Sequence, residues 1–179
     1  MFVANRAAGQ NDFLYHNNGD GTFTKVGGMA VNDGGNSYAA AWGDYNNDGF
    51  LDLFVGNDGG SNFLYHNNTN DNHWLEFRLI GTRSNRTAIG AKVRVHATIN
   101  GQSFWQMREV SGGDGEMGQN SLHVHVGLGN ATNADLVRIE WPSGTTQELS
   151  NVAANQFLTV TEPGGEPRLA ATGKMDRCN

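Results

Sequence analysis

Cysteine is nearly absent from this 179-residue chain. Its one thiol, Cys178, stands next to the C-terminus, so no disulfide forms within the chain and cysteine pairing says nothing about redox compartment. Proline is almost as scarce, with 3 residues against 25 glycines, which leaves the turns to Gly, Asn and Asp. Positive charge is also in deficit. Twelve Lys and Arg against 18 Asp and Glu give a formal charge of -6, and no basic cluster is present to neutralise phosphates. That excludes a nucleic-acid backbone as the natural partner and favours cations. No apolar run reaches the roughly eighteen residues of a membrane helix, and residues 1–10 lack the basic and apolar regions of a secretion signal.

What the chain has instead is oxygen at regular spacing. In Asp44-Tyr45-Asn46-Asn47-Asp48-Gly49-Phe50-Leu51-Asp52, oxygen-bearing side chains recur at every second position through Asp48 and return at Asp52. Calcium takes six to eight hard oxygen ligands, and a short loop supplies them from alternate side chains and a carbonyl where a glycine allows a sharp turn. The spacing predicts Asp44, Asn46, Asp48 and Asp52 as side-chain ligands, Phe50 as the carbonyl donor and Ca2+ as the cofactor. The same residues also suit a turn that holds no ion. The distant glutamate of an EF-hand is missing, and the apolar run Leu53-Phe54-Val55 predicts a strand after the loop.

An internal repeat surrounds this loop. Phe2-Val3-Ala4-Asn5 is echoed by Phe54-Val55-Gly56-Asn57, and Asn11-Asp12-Phe13-Leu14-Tyr15-His16-Asn17-Asn18 by Ser61-Asn62-Phe63-Leu64-Tyr65-His66-Asn67-Asn68. A period of about fifty residues is that of propeller blades or solenoid units. With strands predicted at 13–16, 23–26, 38–42, 51–55 and 63–66, the stretch from Ala41 to Val55 resembles the FG-GAP/VCBS repeat of integrin-type β-propellers. That resemblance implies calcium held between two strands of a blade. Residues 1–72 then amount to about one blade, entered part-way through, whereas a propeller ring needs about four or more.

From His73 the pattern changes to short alternating strands. Val93, Val95, Ala97 and Ile99 share one face of a strand, and Asn100-Gly101 turns it back into a partner from Gln102 to Val110. Further strands at 122–126, 135–141, 145–149 and 156–162 predict an antiparallel β-sandwich over 73–162, followed by a polar tail over 163–179. The fold class is all-β. Ser84-Asn85-Arg86 with Ala88-Ile89-Gly90-Ala91, Gly127-Leu128-Gly129 and Trp141-Pro142-Ser143-Gly144 resemble the ASPIC/UnbV domain. That domain follows FG-GAP/VCBS repeats in secreted bacterial proteins and in cartilage acidic protein-like proteins. The resemblance implies a secreted, extracellular location.

Four surface features invite chemistry. A two-residue hairpin loop places Trp105 opposite His96 with Met107 two residues on, an apolar platform for a sugar ring, unless a bulge turns Trp105 inward. His123 and His125 share one strand face, as a metal pair or as solvated histidines. Asp114 and Glu116 form a carboxylate pair in a glycine-rich loop, and open strand edges in the truncated repeat invite pairing with another chain. The reading is a calcium-stabilised recognition or adhesion module for carbohydrate or an extracellular protein. A small hydrolase on polysaccharide or ester substrates, through Asp114, Glu116 or the histidines, is one alternative; a homo-oligomeric assembly module is the other.

Overall fold

The computed structural model describes residues 1–6, 9–27, 34–115 and 117–164. Glu116, the tail from Gly165 and part of the glycine-rich connection before Asn36 lie outside the described residues. All regular structure within them is strand.

The repeat half consists of two three-stranded antiparallel sheets. The first joins β1 (Phe2–Val3), β2 (Phe13–Asn17) and β3 (Phe23–Val26); the second joins β4 (Ser37–Gly43), β5 (Asp52–Asn57) and β6 (Phe63–Tyr65). Neither sheet closes on itself. The sequence repeat appears as repeated geometry. Asn5 N–H donates to Asp12 Oδ1 at 2.6 Å and Asn57 N–H to Asn62 Oδ1 at 2.9 Å, so equivalent residues fasten equivalent corners. Ser37 Oγ joins the two copies, lying 2.8 Å from both Asp12 Oδ2 and Asn57 Oδ1. Buried Asp12 is thus satisfied from two sides.

The second half stacks a four-stranded sheet on a three-stranded one. The order β12-β11-β8-β9 uses β8 (Lys92–Ile99), β9 (Gln102–Glu109), β11 (Asn133–Glu140) and β12 (Thr146–Ala153). The order β10-β7-β13 uses β7 (His73–Ile80), β10 (Val124–Gly129) and β13 (Gln156–Thr161). Alternate residues of both sheets meet in one apolar core: Leu75, Phe77 and Leu79, Val93 and Val95, Val124 and Val126, and Val137 and Ile139. One pair departs from a purely antiparallel sandwich, because β13 runs parallel to β7. After β12 the chain turns through Ala154 and Asn155, and the paired bonds Asn155 N–H to Trp74 O and Trp74 N–H to Asn155 Oδ1 start the parallel ladder.

Strand β7 is buried on both faces over Trp74–Phe77. Trp74 and Glu76, on the face away from the core, are buried as well, and the loop between β4 and β5 lies over Trp74. That coverage builds the site.

Candidate functional site at the seam between the halves

The loop from Asp44 to Leu51 is shaped by its own side chains. Asp44 accepts the N–H of Asp48 on Oδ1 at 3.1 Å and that of Gly49 on Oδ2 at 2.7 Å. Asp48 accepts Phe50 N–H on Oδ1 at 2.9 Å and the Asn46 amide on Oδ2 at 2.8 Å. Left-handed backbone at Asn47 (φ 60°) and Gly49 (φ 89°) makes the turn. Asp52 sits at the base, 2% exposed, holding Tyr45 N–H at 3.2 Å and Asn67 N–H at 2.8 Å with His66 Nδ1 at 3.1 Å. The structure thus gathers Asp44, Asn46 and Asp48 in one hydrogen-bonded turn and anchors Asp52 beneath them.

Among the described residues, no three His, Cys, Asp or Glu side chains cluster as a metal site. The loop carboxylates are spent on backbone N–H groups. Their chemistry nevertheless fits calcium: the donors are all hard oxygens, and a carboxylate oxygen bonded once keeps a second lone pair.

The loop is seated on the outer face of β7 and β10. A Cβ on Gly49 would lie 1.8 Å from the Trp74 ring, so only glycine permits this approach. His125 Nε2 lies 2.9 Å from Gly49 O, and its ring stacks on Trp74 with centroids 6.3 Å apart. Phe157 closes the other side of Trp74 at 4.8 Å. Strand β4 is tied across the same seam, for Asn120 Oδ1 accepts Trp42 N–H and Ser121 N–H donates to Trp42 O. A cleft of about 570 Å³ opens along it, with Trp42, Phe50 and Asn67 facing Arg108, Asp114 and His125.

Two residues along β7 from Trp74, and opposite His125 of β10, lies Glu76, 3% exposed. His123 Nδ1 stands 2.9 Å from its Oε1, whereas Oε2 has no hydrogen-bond partner among the described residues. Burial raises the Glu76 pKa above the ordinary carboxylate range; His123 and the charge of His125 oppose the shift, and the charge of Asp44 adds to it. The alternation of β7 marks Glu76 as an outward position, which is why sequence reasoning passed it over.

The remaining candidates are the Trp105 platform, the histidine pair and Asp114. Trp105 does pair with His96, ring centroids 5.1 Å apart, with no bulge in the hairpin. It is 45% exposed beside exposed Met107, and the Arg138 guanidinium stands 5.5 Å over its ring. His123 and His125 share a face but are engaged by Glu76 and Gly49 rather than by each other. Asp114 Oδ2 accepts the Asn120 amide at 2.8 Å.

Residues 1–55 match the family model for the FG-GAP-like repeat, and residues 81–167 match that for ASPIC and UnbV. The chain is an FG-GAP-like repeat followed by an ASPIC/UnbV domain. No curated protein matches it. Such domains are typically extracellular and fit a recognition or adhesion type of module. No helix among the described residues is long and apolar enough to cross a membrane.

In the ASPIC/UnbV domain the scattered family motifs meet at one buried carboxylate. Glu162 Oε2 accepts the N–H groups of Thr82, Arg83 and Ser84, each at 2.8 Å, while its Oε1 takes the hydroxyls of Ser84 and Ser143. Burial alone would raise its pKa. The Ser143 hydroxyl and the N–H groups of Ser84, Thr82 and Arg83 outweigh burial and hold it at about 2. The Ser-Asn-Arg and Trp-Pro-Ser-Gly motifs of the ASPIC/UnbV domain are therefore a structural clasp on Glu162, a residue that no sequence pattern singled out.

Proposed function

We propose that the chain is a calcium-stabilised extracellular recognition or adhesion module that binds carbohydrate or an extracellular protein. The observation that carries the reading is the oxygen-lined loop from Asp44 to Asp52, packed against β7 where Gly49 meets Trp74. Asp44, Asn46, Asp48 and Asp52 would hold Ca2+ through their side chains and Phe50 through its carbonyl. Bound there, the ion supplies positive charge and coordination rather than bond-making chemistry. The chain's own part is to keep three carboxylates in a short turn that would otherwise repel itself. Exposed Trp105, with His96 and Met107, offers the flat apolar surface on which a sugar ring buries one face.

Thermal unfolding of the chelator-treated protein, with calcium or magnesium added back, tests this reading. Calcium is expected to raise Tm by several degrees, magnesium much less, and Asp48→Ala is expected to abolish the rise. Equal Tm with and without calcium would remove calcium from the function. The calcium-loaded protein is then the form to present to glycans and matrix proteins.

A further inference from the structure

The two copies of the repeat share six consecutive residues: 13–18 and 63–68 both read Phe-Leu-Tyr-His-Asn-Asn. They share a ladder as well. Leu14 lies opposite Phe2 and Phe13 opposite Val3, as Leu64 lies opposite Phe54 and Phe63 opposite Val55. On its other side β2 carries β3, with Val26 opposite Leu14, Lys25 opposite Tyr15 and Thr24 opposite His16. The same side of β6 carries no strand among the described residues. That difference leaves marks. Leu14 is half-buried beside Val26, whereas Leu64 is 53% exposed with exposed Phe54 as its neighbour. Strand runs through Asn17 in the first copy but ends at Tyr65 in the second, although the residues are identical. Residues 18–26 make the turn and β3, but only 66–72 separate β6 from β7, so the connection is too short to fill the edge itself.

We propose that the free edge of β6 is a strand-acceptor site, which takes an extended segment of a separate polypeptide in the place that β3 holds on β2. An unpaired edge offers main-chain donors and acceptors for affinity, and the side chains beside it choose the segment. The first copy shows which side chains fit. Val26 faces Leu14, and Lys25 Nζ stands 4.1 Å over the Phe13 ring. The matching segment for β6 therefore carries an apolar residue for Leu64, preceded by a basic residue for Phe63. That is a protein partner rather than a sugar, and the site stands whether or not the loop between β4 and β5 holds calcium.

A fluorescent peptide of residues 20–27, titrated with the full chain and followed by anisotropy, tests the site. The comparisons are a scrambled peptide, a Val26→Lys peptide and the Leu64→Lys protein, with amide hydrogen exchange of the wild type measured with and without peptide. The wild type is expected to bind the peptide saturably, and each of the three changes to weaken binding at least about tenfold. Exchange is expected to slow over residues 63–66. Leu64→Lys leaves β2 and its identical sequence intact, so undiminished binding by that variant, or slowing confined to other residues, overturns the proposal. The exchange measurement needs no variant and decides the matter should Leu64→Lys fail to fold. No saturable binding up to about 1 mM also overturns it. Slowed exchange over 63–66 on self-association, with no peptide bound, would assign the edge to a second copy of this chain and overturn the proposal likewise.

Discussion

At the scale of single residues, two buried glutamates differ in how fully their oxygens are satisfied. Glu162 is satisfied from every side, by three N–H groups and two hydroxyls, whereas Glu76 is satisfied on one oxygen only. Their opposite pKa shifts follow from that difference. The depressed value of Glu162, about 2, means that its contribution to stability is whole above the ordinary carboxylate range and is lost as pH falls from there toward about 2. An acid unfolding series should therefore show Glu162→Gln less stable than wild type at neutral pH, with the gap narrowing as pH drops toward 2. Glu162→Ala should cost about 3 kcal/mol by urea unfolding at neutral pH, since several buried donors lose their acceptor together. A neutral effect for both would mean that the clasp is solvated. Serine pairs such as Ser84 and Ser143 were visible in the motifs, but their shared partner was not, because Glu162 lies about eighty residues from Ser84 and looks like any polar strand-end residue.

At the scale of elements, the loop between β4 and β5 is a packing element as well as a turn. Its Asp44, Asn46 and Asp48 side chains shape the turn, and Gly49 presses the turn onto Trp74 of β7. Gly49→Ala combines left-handed backbone strain with a collision against a large buried ring, so a loss of about 3 kcal/mol is expected. Quenching of Trp74 fluorescence should change with it, since the ring must move away from His125 and Phe157. An alanine variant with wild-type Tm and emission would show that the loop does not rest on β7. Element type was legible almost throughout: the alternation over Lys92–Ile99 and the Asn100-Gly101 turn gave the hairpin and the pairing of Trp105 with His96. The parallel pairing of β13 with β7 was not, because alternation along a strand carries no sign of its neighbour's direction.

For the whole molecule, the open sheets of the repeat are the feature that bears on association. Strand β4, one edge of its sheet, is partly covered by Asn120 and Ser121 of the ASPIC/UnbV domain. Strands β3 and β6 each pair with a strand on one side only, and Phe54 and Leu64, neighbours across β5 and β6, are both exposed. Unpaired edges and apolar faces favour association. Light scattering over a concentration series is expected to show self-association that grows with concentration and weakens in Leu64→Lys. A strictly monomeric species at every concentration would reject the assembly reading.

The sequence by itself determined the all-β class, the repeat, the oxygen-spaced turn and the two family domains, because period-two alternation, Asn-Gly turns and oxygen spacing are local properties of the chain. Tertiary structure alone decided that the loop packs on the second half. Only there does a strand position that alternation marks as outward become buried, so Trp74 acquires its role from Gly49, some twenty-five positions upstream. The reason is physical: burial belongs to what surrounds a side chain, and the loop that covers Trp74 shares no local pattern with β7.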